Sequence, residues 1–436
     1  MSTRHLAILG AGAGLLALAA CGPKPIDPHR QIGANPYLPP VHQYLMPPMR
    51  VAQVIGWGNA KPDVAPGLQI QAIATGLHNP RIVYALPNGD VLIVEGGAPP
   101  TPVNRPKEII MKWVEDSAHG PIKPGNRVLL VRPGPNGSYS APTIFIDHLY
   151  SPYGIVLVGN DLYVADTDAV LRFPYQTGET QITTPGEKLV SLPAGPIDHH
   201  WTKSLTASPD GTKLYVGVGS NSNITENGMG AELDRAAIWE IDRATGAHRL
   251  FATGTRNPTN LQFEPQTGVL WAVVNERDEI GPDLVPDYLT SVKDGAFYGW
   301  PYSYYGQHID PRVRPQRPDL VARAIPPDYA LSSHVAPLGL VFDTGTNLPA
   351  AYRGGAFVGE HGSWDRGVMN GYKVVFVPFT NGRPSGMAQD VVTGFLTKDD
   401  NHVHGRPVGV ALDTTGALLI ADDVGNTVWR VTGAGS

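Results

Sequence analysis

The chain has 436 residues, a formal net charge of −6, 17% charged residues, 50 glycines and 42 prolines. It holds no Lys/Arg cluster able to neutralise phosphates, which argues against nucleic acid as a partner. A single cysteine rules out an internal disulfide, and the abundance of Gly and Pro points to many turns and short strands rather than long helices.

Arg4 and His5 give a short basic start, followed by an apolar run from Leu6 to Ala20. That run suits the core of a signal peptide and is short for a bilayer span. It ends in Leu18-Ala19-Ala20-Cys21, which looks like a bacterial lipobox. Residues 1–20 are therefore expected to be a lipoprotein signal peptide and Cys21 the lipidated residue. The mature chain would be an exported, periplasmic lipoprotein that meets a bacterial membrane only through its acyl chains. The plainer alternative is a secretory signal with a chance Cys at its cleavage site.

Residues 21–66 carry prolines at 23, 25, 28, 36, 39, 40, 47, 48, 62 and 66. Each proline fixes its backbone and removes a donor, so a Pro-rich tether without regular helix or sheet is expected. Tyr37, Tyr44, Met46, Met49 and Trp57 are too apolar for a fully solvated linker, so part of the tether should pack on the main domain.

From residue 67 to 436 one unit recurs: a Pro-containing entry, a small or Gly residue, an apolar strand, a turn and a second apolar strand. Its entries are Asn79-Pro80-Arg81, Ser151-Pro152-Tyr153-Gly154, a degenerate copy at Trp201 to Leu205, Asn257-Pro258, Ala336-Pro337-Leu338-Gly339, and Arg406-Pro407-Val408-Gly409. Six copies at spacings of roughly 50 to 80 residues suit one propeller blade each. Turns such as Pro87-Asn88-Gly89 and Pro209-Asp210-Gly211 are hairpin signals. The expected fold is all-β, a six-bladed β-propeller, with Leu68 to Ile73 closing the ring against the last blade. A β-sandwich or open array is the alternative.

In a propeller the six entries meet at one mouth of the central channel, so their polar residues are the candidates for chemistry. They carry His78, His148, His199, His200, Lys203, Arg256, Asn257, His334, His404 and Arg406. Such a set would attract an anion, and a small polycarboxylate fits the arginine fork. A histidine with a pKa near ~6.5 is suited to accept a hydroxyl proton, unless it is simply a loop residue bonded to carbonyls. The loop Asn275-Glu276-Arg277-Asp278-Glu279 offers hard oxygens of the type calcium takes, or is a solvated acidic loop. There is no Gly-rich phosphate loop and no Gly-x-Ser-x-Gly elbow, so NAD, ATP and esterase readings lack support.

Five segments together resemble the pyrroloquinoline quinone (PQQ)-dependent glucose/sorbosone dehydrogenases, closest to the sorbosone branch. They are Gly254-Thr255-Arg256-Asn257-Pro258, Asn275 to Glu279, Tyr298-Gly299-Trp300-Pro301, Gly359-Glu360-His361-Gly362-Ser363-Trp364-Asp365-Arg366, and Gly405 to Val410. The resemblance implies His200 as general base. It implies Arg256 as a second catalytic residue that polarises the quinone together with calcium, Arg256 and Asn257 as quinone contacts, and Arg406 as a partner of cofactor carboxylates. Main-chain oxygens of Glu276 and Arg277 would be calcium ligands. Lys203 or Arg366 would stand in for a further cofactor cation.

The glucose-oxidising members have an acidic residue where His199 stands and Gln where Tyr153 stands, which points away from glucose. The activity implied is oxidation of a sugar or sugar-derived aldehyde, sorbosone- or aldose-type. Hydride would pass to PQQ, and electrons to a respiratory quinone or cytochrome. The alternatives are a calcium-dependent lactonase-like hydrolase, which needs converging Glu, Asp and Asn side chains, and a non-catalytic exported propeller used as a binding scaffold.

Overall fold

A computed structural model describes residues 26–43, 48–102, 109 and 124–435. The expected signal peptide and Cys21 lie outside these residues. Six antiparallel sheets form the six blades of a propeller. Blade 1 runs Pro80–Ala85, Val91–Glu95, Arg127–Val131, Thr143–Ile146. Blade 2 runs Gly154–Val158, Asp161–Ala165, Ala169–Pro174, Glu187–Ser191. Blade 3 runs Lys203–Ala207, Lys213–Val218, Ala237–Asp242, His248–Thr253. Blade 4 runs Asn257–Phe263, Leu270–Asn275, Pro286–Ser291, Tyr329–Ser333. Blade 5 runs Pro337–Phe342, Ala356–Glu360, Lys373–Val377, Gln389–Thr393. In blade 6, Pro407–Leu412, Leu418–Asp422 and Thr427–Gly433 are completed by Leu68–Thr75 from the N-terminal side. That last pairing runs from Thr427 opposite Thr75 to Gly433 opposite Leu68, and it closes the ring as expected.

The core is a ring of apolar layers, one between each pair of neighbouring blades. Strand alternation explains this arrangement. Val91 and Ile93 pack toward blade 6 with Leu419 and Val428, whereas Leu92 and Val94 pack toward blade 2 with Ile155 and Leu162. Each blade is covered on both faces, so its strands read as continuous apolar runs.

The small residue in the entry motif has a steric cause. A Cβ at Gly339 would strike the Val408 carbonyl, one at Gly409 the Arg81 carbonyl, and one at Gly154 the Leu205 backbone. Inner strands of adjacent blades approach that closely around the axis. The chain reaches three of the entries through left-handed residues directly before proline: Asn79 (φ 59°), Ser151 (φ 49°) and Ala336 (φ 51°).

The N-terminal segment differs from a spacer. Ile32–Gly33 pairs with Leu331 and Ala330, adding a fifth strand to blade 4. Asp63–Val64 adds a fifth strand to blade 5, and Gln53–Val54 runs parallel to His402–Val403. The prolines confine this segment to two-residue strands, but sheet edges still recruit it. Trp57 packs with Phe395 and Trp429, as its apolar character requires.

Candidate functional site

His200 sits just before blade 3's inner strand. Its Nδ1 lies 2.9 Å from the Ser220 carbonyl, which can only accept, so Nδ1 carries the proton and Nε2 keeps its lone pair. Burial, then the charges of Arg256 and His199, push its pKa well below the usual value. It is therefore neutral near pH 7. Gly219 separates it from Asn257: a Cβ there would strike both His200 Cβ and Asn257 Oδ1.

Arg256 leads into blade 4 and is buried. Its Nη1 donates to Glu276 O at 2.6 Å, and its Nη2 meets Asp278 at 3.0 Å. Asp278 also faces His334 Nδ1 at 3.3 Å, and His334 Nε2 donates to the Gly281 carbonyl at 3.2 Å. Burial opposes charge on both groups. For Asp278, Arg256 and His334 overcome it and hold the carboxyl down at about 2. For His334, the Asp278 and Asp365 carboxylates outweigh burial and lift the imidazole to about 9. Asp278, His334 and Asp365 bring ligand atoms within 4.8 Å of one another. With both ring nitrogens donating, His334 offers no lone pair, so the hard oxygens around it are the groups suited to calcium.

A second cluster adjoins the first. Arg81 bonds Asp423, which also meets His361 Nε2 at 3.0 Å. The Arg81 guanidinium lies 5.7 Å from the Trp201 ring and 5.8 Å from Tyr153, and those rings meet edge-on at 5.9 Å. Arg406, fully buried, is near enough to His361 to help depress its pKa, after burial itself. Trp201, whose ring Arg81 faces, directly follows His200 and links the two clusters along the chain.

The Glu276 main-chain oxygen faces Arg256 in the first cluster, while its carboxylate turns to Arg277 Nε at 3.0 Å. The Arg277 side chain then reaches Pro301 O, Ser303 O and Asp310, pinning the excursion between blade 4's third and fourth strands. Arg366 is locked to Asp283 at 2.5 Å. Lys203 donates to the Trp201 carbonyl at 3.1 Å, and burial lowers its pKa to about 7. The charges acting on it are Asp198, Arg235 and Asp168, none from either cluster. The His148 side chain is 94% exposed, and His404 stacks on Trp57 and bonds the Gly56 carbonyl through Nδ1.

Arg81, Asn223, His361, Tyr372 and Asp423 were not singled out for chemistry by the sequence. Arg81 and His361 did lie inside recognised motifs. Asp423 directly follows blade 6's second strand, while Asn223 carried no signal at all.

The donor chemistry fits a planar polycarboxylate. Nε of Arg406 and Nε of Arg81 are buried without a hydrogen-bond partner among the described residues, as is Asn257 Oδ1. Arg406 spends its side chain on one contact, to Tyr372 Oη at 3.3 Å. Unused buried guanidinium donors are costly unless a ligand meets them.

Residues 159–363 match the family model described as "Glucose / Sorbosone dehydrogenase", and residues 318–434 match one described as "TrAA12-like". An uncharacterised protein of Borreliella burgdorferi is 28% identical over 293 residues, 65% of this chain and 76% of that protein. The holo PQQ domain of pyranose dehydrogenase from Coprinopsis cinerea superposes with a TM-score of 0.70 at 19% identity, covering 86% of this chain and 98% of that one. A calcium structure of the Trichoderma reesei carbohydrate-active enzyme of family AA12 gives 0.69 at 20% identity, covering 90% and 99%. PQQ-bound aldose sugar dehydrogenase from Streptomyces coelicolor gives 0.55 at 15% identity, covering 85% and 99%.

Fold and family match together define an oxidoreductase on a six-bladed propeller. The resemblance to the PQQ-dependent glucose/sorbosone dehydrogenases read from the sequence is borne out.

Proposed function

We propose that the protein oxidises an aldose-type sugar or sugar-derived aldehyde at this mouth, with PQQ and calcium as cofactors. The observation that carries the reading is a neutral, oriented His200 beside buried Arg256, together with the Nε donors of buried Arg406 and Arg81, which meet no partner among the described residues. The named relatives, with PQQ domains and a calcium structure among them, support it.

Bound PQQ supplies the acceptor for the substrate's carbon-bound hydrogen and its electron pair. Arg406 and Arg81 would bind its carboxylates, and Arg256 and Asn257 would flank it on the His200 side. Glu276 O and Asp278 would hold calcium. His200 takes the hydroxyl proton on Nε2, while the Ser220 carbonyl fixes the ring through Nδ1. Electrons would pass on to a respiratory quinone or cytochrome. Export, with Cys21 carrying the lipid, would place the propeller in the periplasm.

The test is dye-linked oxidation of a substrate panel, sorbosone and aldoses included, by protein reconstituted with PQQ and calcium. Oxidation that requires both additions supports the reading, and inactivity across the panel overturns it.

A further inference from the structure

Arg256 spends every donor it has. A guanidinium carries five N–H groups in one plane. Here Nε meets Asn223 O at 3.3 Å, while Nη1 meets Asn275 O at 3.5 Å and Glu276 O at 2.6 Å. Nη2 meets Asn223 Oδ1 at 3.0 Å and Asp278 Oδ2 at 3.0 Å. Three main-chain carbonyls, one amide oxygen and one carboxylate thus surround a single cation.

The nest is built rather than accidental. Trp300 Nε1 holds Asn223 O at 3.0 Å, the Asp278 amide holds Asn223 Oδ1 at 2.9 Å, and Arg312 holds Asp278 O at 2.9 Å. Two further oxygens of the same turn, Asn275 Oδ1 and Glu276 Oε1, are buried without a partner among the described residues.

This arrangement leaves Arg256 no donor for a cofactor. Neutral carbonyls and a carboxylate converging on one point are also what a hard divalent cation takes, with six to eight oxygens in the case of calcium. A guanidinium and a calcium ion do not fit the same point, since like charges repel and the Arg256 N–H groups fill the space on which the oxygens converge.

We propose that Arg256 and calcium occupy this nest in turn. The guanidinium holds the oxygens together until the ion arrives. Once displaced, it turns its donors toward the quinone. The proposal rests on the calcium reading above, and it makes Arg256 a placeholder for the metal as well as a cofactor contact.

The experiment is calorimetric titration of calcium alone into the chelator-stripped full chain, without PQQ, for wild type, R256M and R256K. Circular dichroism checks the fold of each variant. R256M, with the competing cation gone, is expected to bind calcium at least tenfold more tightly than wild type. R256K, which keeps one charge but fewer donors, should fall between them and serves if R256M is unstable. Equal or weaker binding by the folded variants overturns the exchange while leaving calcium at the mouth. No binding by any of the three overturns the calcium reading and the exchange with it.

Discussion

Trp57 donates its indole N–H to Asp422 Oδ2 at 2.6 Å, and the Asp422 Oδ1 atom accepts the Arg406 amide at 2.8 Å. One carboxylate therefore ties the N-terminal segment to the residue expected to grip the cofactor. Trp429 Nε1 and the Gly425 amide complete its four donors. Burial pushes the Asp422 carboxyl up to about 7, while these donors pull it down. On the neighbouring loop, Gln31 donates to Asp283 O at 2.5 Å, and Asp283 holds Arg366. Gln31 and Trp57 thus tie the N-terminal segment to the loops carrying Asp283 and Asp422.

Trp57→Phe should keep the ring packing against Phe395 and remove one donor to Asp422. A buried acceptor that loses one of several donors costs about 1 kcal/mol. Denaturant unfolding should show that loss. PQQ affinity should fall as well, because Arg406 hangs on the same carboxylate. An unchanged affinity would separate the brace from the site.

His200→Ala should reduce turnover by about 10²- to 10⁴-fold, the usual worth of a positioned base. PQQ binding, read by absorbance, should stay near wild type, because the groups assigned to the cofactor carboxylates lie on Arg81 and Arg406. Steady-state kinetics on the reconstituted variant checks this, and full activity would remove His200 from its role.

Glu360 is buried, its Oε2 has no partner among the described residues, and burial lifts its pKa to about 8. The native state keeps a proton that the unfolded chain has lost between the ordinary carboxyl pKa, about 4.5, and 8. Stability from this group is therefore fully present below about 4.5 and falls as pH rises toward 8, by up to about 1.4 kcal/mol per pH unit. Glu360→Gln should flatten that slope and leave the variant the more stable protein at pH 8 and above. Unfolding free energies across this pH range give the comparison; parallel curves would contradict it.

Gly409→Ala places a Cβ against the Arg81 carbonyl and Ile82. Overpacking of this kind costs about 1–3 kcal/mol. The thermal midpoint should drop, and the entry carrying Arg81 should shift. An unaltered midpoint would mean that the inner strands have slack at the axis.

The blades were legible because local signals repeat. Prolines mark the entries, glycines mark both turns and close approaches, and apolar runs mark strands covered on both faces. The closing strand Leu68–Thr75 was legible for the same reason. His200, Arg256, Asn257 and Arg406 stand among ten polar residues at the entries, and it is the family resemblance, not their position, that singles them out.

The pairings were not legible. Asp278, His334 and Asp365 belong to three loops, and no spacing rule joins them. Asn223 sits in an irregular loop with no repeat partner, although it organises the Arg256 nest. Lys203 looked equivalent to the other entry cations, but it faces Asp198 and Asp168 between blades 2 and 3. The Pro-rich segment read as a tether because composition does not show the exposed sheet edges and the Asp422 carboxylate that capture it.

The most direct measurement is an absorbance titration of PQQ into calcium-loaded protein, wild type beside Arg406→Ala. Saturable binding near one equivalent for wild type, weakened at least tenfold in the variant, is the outcome expected of a mouth built from unspent guanidinium donors. No spectral change with wild type, or identical curves for the two proteins, would contradict it.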